Sequence, residues 1–271
     1  MFTTIITDCW EPNEALRPIT RFNALGLGPT SLLGINSELG LQATVEGGIN
    51  LIDILDASNG LPGIVFLNVA PRGDKKDGNN GTHFCYFNYK KTLVIATLKG
   101  YCLSFIKHLE IADSVEVVEL KTVLDFIVNK KLVDQKTANY IVSSQFRSFD
   151  FVPRLACWLV DGIKIPSSTL SLTSQFPLPT PSIWCIDAFG NAKSTLLSNK
   201  FNFQEGESIK TNLGIFLYYN RLKDIPFGKT AIYTGSSGIG DNRFLELATQ
   251  GVAGSVSKKL KLKVGDSIVI K

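Results

Sequence analysis

The chain has 271 residues, of which 44% are hydrophobic and 19% charged, a globular balance that excludes disorder over most of its length. Lysine and arginine exceed the acids by only four charges, without a long basic block, which argues against a nucleic-acid partner. No apolar run approaches the ~20 residues of a membrane span, and residues 1–8 (MFTTIITD) lack a basic segment before an apolar one, so no leader and a cytoplasmic location are expected.

In chain order, residues 4–7 (TIIT), 64–69 (IVFLNV), 93–96 (LVIA) and 115–118 (VEVV) read as buried β-branched strands. Helical patterns lie between them. Ile49, Leu51, Ile52 and Leu55 form one apolar stripe, residues 103–107 follow a turn at Gly100, and Val123, Phe126 and Ile127 form another stripe. Asp134 is placed to cap a further helix. This alternation predicts an α/β domain over residues 1–165 with a largely parallel sheet. Residues 166–181 (PSSTLSLTSQFPLPTP) carry four of the eleven prolines and read as an extended linker. Beyond it, residues 183–186, 208–211, 215–218, 231–233, 244–248 and 267–270 are short strand-like runs punctuated by glycine. They predict an antiparallel β-barrel domain over residues 182–271.

Common catalytic templates do not fit. Gly26-Leu27-Gly28 lacks the third glycine of a dinucleotide fingerprint, and no phosphate-cradling P-loop is present. Cys9, Cys85, Cys102, Cys157 and Cys185 are scattered without a CxxC pair, so they read as reduced thiols, and no metal site is expected. Of the two histidines, His83 reads first as a loop residue.

Three stretches belong together: residues 5–8 (IITD), a strand ending in an acid; residues 186–191 (IDAFGN); and residues 244–251 (FLELATQG) ahead of 262–266 (LKVGD). In this order they resemble the S-adenosylmethionine hydroxide adenosyltransferases, the family that includes fluorinases and chlorinases, over nearly the whole chain. The resemblance implies an enzyme that takes S-adenosylmethionine as substrate, without a further cofactor. It implies substitution at the ribose 5′ carbon by water or halide, and a homotrimer whose sites lie between the α/β domain and a neighbouring barrel. By that likeness Asp8 holds the ribose hydroxyls, and Asp187 and Asn191 hold the methionine end with Phe189 beside them. Phe244 and the backbone of Gln250 and Gly251 face adenine, and Ser236 and Ser237, read as a glycine-rich turn, take the methionine carboxylate.

The likeness also has gaps. Family hydrolases hold their catalytic water with residues of a VDPGVGTxR and an FHGRDxFAP stretch. Here the first reads Val69-Ala70-Pro71-Arg72-Gly73 and the second Phe146-Arg147-Ser148-Phe149-Asp150, so Ala70 replaces an acid and Phe146 a histidine. Sulfonium is already a good leaving group, so positioning alone lowers much of the barrier. Arg72, Thr82, Arg147 and Ser148 are the candidate catalytic residues, and Asn80 a candidate contact to the substrate or nucleophile. A protein that binds S-adenosylmethionine or adenosine without turnover is the alternative. An unrelated α/β enzyme acting on a sugar or phosphorylated substrate is a third reading.

Overall fold

The computed structural model describes residues 1–36, 40–70, 82–172, 176–251 and 255–271. The chain divides into two compact units, Met1–Pro177 and Leu178–Lys271.

The first unit is built on a seven-stranded sheet. Its strands are β1 (Phe2–Thr7), β2 (Thr30–Gly34), β3 (Gly63–Asn68), β4 (Phe84–Tyr89), β5 (Thr92–Thr97), β6 (Ser114–Val118) and β7 (Ser168–Ser171), in the order β2-β1-β3-β5-β4-β6-β7. The runs read as buried strands in the sequence are β1, β3, β5 and β6. The sheet is largely parallel with a mixed edge: β2, β1, β3 and β5 run parallel, whereas β4, β6 and β7 enter by antiparallel pairing. The reason is local. β4 and β5 are joined by Lys90 and Lys91, with Lys90 at φ 52°, and a two-residue turn of that hand makes a hairpin, not a crossover.

Successive strand residues face opposite ways. Ile5, Ile64, Phe66, Leu93 and Ile95 point into one core with Phe22, Val123, Ile127, Ile141 and Trp158. Those residues belong to α1 (Pro12–Ala24), α4 (Leu120–Asn129), α5 (Gln135–Ser143) and α7 (Val152–Val160). On β1 and β3 the intervening residues Ile6, Val65 and Leu67 are equally buried, and α2 (Leu41–Ser58), whose stripe includes Ile49, Ile52 and Leu55, packs against both strands and α3 (Ser104–His108). Gly48 makes that approach possible: a Cβ there would lie 2.7 Å from the Tyr101 carbonyl oxygen.

Helix starts follow the sequence. Asp134 caps α5, accepting from the Thr137 N–H at 2.6 Å. Glu119 caps α4, accepting from the Lys121 and Thr122 N–H groups at 3.1 and 2.6 Å. Partial burial pushes the Glu119 carboxyl up, but these bonds outweigh it and hold the group below its ordinary value. A carboxylate with a depressed pKa stabilises the fold above its unfolded value and loses that contribution as pH falls through the folded one. Glu119→Gln should therefore lower the melting temperature at pH 7, and the difference from the parent protein should shrink on acidification below about 4.3. Thermal melts across that range check it, and a gap independent of pH would refute it.

The expected linker is corrected in part. Residues Ser168–Ser171 are strand β7, paired antiparallel with β6, and the boundary between units falls after Pro177. Hydroxyls replace apolar alternation there: Ser167 and Thr169 donate to the two oxygens of Glu116 at 2.6 and 2.8 Å.

The second unit holds β8 (Ile183–Ile186), β9 (Ala192–Leu197), β10 (Ser208–Thr211), β11 (Gly214–Tyr219), β12 (Thr230–Ile239) and β13 (Asn242–Thr249), with α8 (Val256–Leu260). Its sheet order is β10-β11-β12-β13-β9-β8, antiparallel except for the parallel pair β11–β12. Among the described residues no ladder joins the edge strands β8 and β10, so the sheet is not a closed barrel by strand pairing. Residues 267–270, expected as a strand, make isolated bridges instead, Ser267 to Ser182 beside β8 and Ile270 to Thr211 on β10. The tail thus bonds to both edges. Ile268 N–H donates to the Pro181 carbonyl and Lys271 N–H to that of Lys210. Among the described residues no helix of either unit is long and apolar enough to cross a membrane.

Candidate functional site

In the first unit β2 lies on one side of β1 and β3 on the other. The chain reverses direction of travel across the sheet there, so the carboxyl ends of β1 and β3 form the topological switch point at which open α/β sheets take ligands. Asp8 follows β1 directly. Its Oδ2 accepts from the Ala70 N–H beyond β3 at 3.0 Å, and its Oδ1 lies 3.6 Å from the Cys9 thiol. A carboxylate offers about four acceptor sites, so roughly two remain for a ligand. The floor is rigid. Thr7 Oγ1 accepts from Cys9 N and Asn68 Nδ2, and Thr97 Oγ1 at the end of β5 donates to the Val69 carbonyl at 2.7 Å.

Two further groups stand here: Glu46, not singled out in the sequence, and Cys102, read there only as a reduced thiol. Glu46 on α2 is buried, with Oε1 accepting from Asn36 N just past β2 at 3.2 Å. A charged residue inside the apolar run Val45-Glu46-Gly47-Gly48-Ile49 was the available signal. Cys102, also buried, has its thiol pushed up to about 12 by desolvation, against the lowering bond from Thr97, with the negative charge of Asp8 adding. It stays a neutral thiol at pH 7 and is no nucleophile.

Further along the same rim, Thr82 precedes β4 and donates its hydroxyl to the Leu98 carbonyl at 3.0 Å. Arg147, half-buried at the start of α6 (Arg147–Asp150), donates from Nη2 to the Thr82 carbonyl at 3.1 Å, with its guanidinium 5.7 Å from the Phe84 ring centre. Burial lowers its pKa, yet guanidinium stays charged. Thr82 and Arg147 are therefore together, with half-buried Ser148 next in the chain. Asp8 is not with them: its carboxylate reaches over β3 while Thr82 sits beyond β5, about 10 Å away by strand spacing. His83 is exposed between them and β4. Arg72 and Asn80 lie outside the described residues.

In the second unit Asp187 closes the β8–β9 hairpin. Oδ1 accepts from the N–H groups of Phe189 and Asn191 and Oδ2 from the Asn191 side chain, all at 2.9 Å. Three of its four acceptor sites are thus occupied within the turn. Phe189 at the tip is 83% exposed and Asn191 is buried. Ser236 and Ser237 do not form a turn; they lie in β12 at a bulge between Thr234 and Gly238, where Arg243 donates to the carbonyls of Ser236 and Gly238 at 2.9 and 2.8 Å. Three residues, Gly235, Ser236 and Ser237, face the single Phe244 there, an irregularity that bends β12 without ending it. Phe244 is fully buried in β13, so its ring offers no face to adenine. Gln250 N donates to the Lys229 carbonyl, and Gly251, at φ 81°, packs so tightly on Phe227 that a Cβ would meet its ring at 2.3 Å.

No family model and no curated protein matches the chain. Two solved structures are similar in fold over its whole length. An uncharacterized conserved protein from Thermotoga maritima is 16% identical with a TM-score of 0.67, covering 99% of this chain and 100% of its own. A conserved hypothetical protein from Thermus thermophilus is 16% identical with a TM-score of 0.58, covering 99% of each chain. At such identity the likeness is one of fold alone. Among the described residues no group of three or more His, Cys, Asp or Glu is arranged to hold a metal.

Proposed function

We propose that Asp8, at the switch point of the sheet, binds the ribose of S-adenosylmethionine and that the protein transfers the adenosyl group to water or a halide. One observation carries this reading: a strand-terminal carboxylate at the switch point of the sheet, fixed by the Ala70 N–H, with acceptor sites left over. A ribose cis-diol presents two donors to such a group, and bonds to an ionised acceptor are the stronger kind. The resemblance through residues 5–8, 186–191 and 244–251 supports the choice of ligand.

In the reaction the C5′–S bond breaks, its electron pair staying on sulfur as methionine, while a C5′–O or C5′–halogen bond forms. Water would release one proton to solvent; a halide releases none. Arg147, about 10 Å from Asp8 by strand spacing, is within the span of a ribose with a nucleophile at its 5′ carbon, and in this reading it anchors the anion or orients the water. A closed barrel, with the tail sealing its edges, and a homotrimer belong to the same proposal.

The second reading, binding without turnover, is favoured by Ala70 and by Phe146. The Phe146 ring stacks on Phe149 at 6.0 Å and can move no proton. Incubation with S-adenosylmethionine in the presence of chloride or fluoride, followed by chromatography, separates the two. Equimolar nucleoside and methionine are expected; calorimetric binding without product establishes the second reading, and absence of binding removes both.

A further inference from the structure

On the outer side of the first unit, α1 and α6 enclose a cleft of about 290 Å³ lined by Asn13, Leu16, Arg17, Thr20, Arg21 and Phe149. Arg17 and Arg21 stand one helical turn apart, and both guanidinium groups lie over the same ring. Their central carbons are 4.6 and 4.3 Å from the Phe149 centroid, and that of Arg17 is also 5.1 Å from the Phe146 centroid. Stacking uses the flat face of guanidinium and leaves its in-plane N–H fork free for an oxyanion.

Acids stand near but do not pair with these two arginines: Glu14 is one turn away on α1, and the charge of Asp150 acts on Arg154. Among the described residues neither arginine has a carboxylate within ion-pair distance. The neighbouring Asp150 is 2% exposed, bonded through Oδ2 to the Ser144 hydroxyl, while its main-chain carbonyl accepts from Arg154 at 2.6 Å. Arg154 itself feels the positive charge of Arg21. Like charges one turn apart on a helix repel. Holding both guanidinium groups over one ring, neither within ion-pair distance of an acid, makes a positive potential beside an apolar wall.

We propose that this cleft binds a small molecule carrying an oxyanion, a phosphate monoester or a carboxylate, on a compact apolar body. The arginine forks take the oxyanion, Thr20 and Asn13 supply neutral donors at the rim, and Leu16 and Phe149 cover the body. The volume of about 290 Å³ is enough to take a single ring with its oxyanion, and the cleft is open to solvent on its outer side. The cleft shares no lining residue with the contacts of Asp8 and does not depend on the function proposed there.

The test is calorimetric titration of the full chain with phenyl phosphate, benzoate and inorganic phosphate, in parallel with Arg17→Gln, Arg21→Gln and a doubly lysine-substituted protein. Either aromatic probe should bind at least about tenfold tighter than inorganic phosphate, and whichever does so identifies the oxyanion. Each glutamine variant should weaken that binding at least about tenfold, and the lysine protein should also lose affinity because an ammonium cannot reproduce a stacked fork. No saturation with any probe at about 10 mM overturns the proposal, as does equal affinity for inorganic phosphate or binding unaffected by the variants. A crystal of the unsubstituted protein grown with the tighter probe provides a check independent of variant folding: the probe must lie on Arg17 and Arg21, and a position elsewhere refutes the site.

Discussion

Replacing Asp8 with alanine should weaken binding of S-adenosylmethionine or adenosine at least about a hundredfold while leaving the sheet folded. Two hydrogen bonds from a diol to an ionised acceptor are together worth about 3 kcal/mol or more, which is a factor of about a hundred or more in affinity. The Ala70 N–H, which donates to Asp8 at 3.0 Å, would lose its partner, a smaller penalty because water can reach a half-buried rim. Asp8→Asn should fall between the two, since an amide keeps one acceptor but loses the charge. The discriminating comparison uses 2′,3′-dideoxyadenosine. With no diol to lose, its weaker binding should change little in Asp8→Ala. Calorimetry of the three proteins with both ligands measures this, and an unchanged adenosine affinity in the alanine variant would remove Asp8 from the site.

The parts of the fold readable in the sequence are those where one local rule acts alone. β3 and β5 are nearly continuous apolar runs, and β1 is β-branched with buried threonines, because central strands are buried on both faces. The Asp134 cap is visible because its side chain bonds three residues ahead in its own chain. Strands that depend on a distant partner are not visible in this way. β7 is a run of Ser, Thr and Leu whose hydroxyls bond to Glu116, some fifty positions earlier, and nothing within residues 166–181 announces that partner. β4 (FCYFNY) sits beside His83, and its hairpin with β5 turns on Lys90 and Lys91 rather than on the glycine or asparagine that usually marks such a turn.

The site divides along the same line. Asp8 is legible because an acid that ends a buried strand has few reasons to be there. Its partner, the Ala70 N–H, is a backbone group and carries no signature in residue type. Asp187 shows the converse. Residues 186–191 read as a ligand contact through family likeness, yet they form a hairpin turn that accounts for three of the four acceptor sites. What the sequence could not weigh was how much of that carboxylate remains for anything else.

The frame that holds the rim predicts its own result. Phe22, Phe66, Phe84, Phe151 and Trp158 form a continuous row of rings, with successive centroids 6.1, 6.1, 6.5 and 6.4 Å apart, running from α1 through β3 and β4 to α7. Phe66 is 1% exposed and touches two of the others, so Phe66→Ala removes a ring from the middle and leaves a cavity walled by strands that cannot close on it. The expected loss is about 3–5 kcal/mol. In a domain of this size it should lower the melting temperature of the first unit by about 6–20 °C. Phe66→Leu, which keeps most of the volume, should lose less than half as much. Because the chain forms two compact units, calorimetry should show the first transition moving while that of Leu178–Lys271 stays in place. A loss below about 1 kcal/mol would mean that the ring row does not support the sheet. Well below the transition, ligand affinity at Asp8 should be nearly unchanged, because Phe66 faces the helix layer and the acceptor sits at the strand end. Stability and binding would then have separate origins within one strand pair.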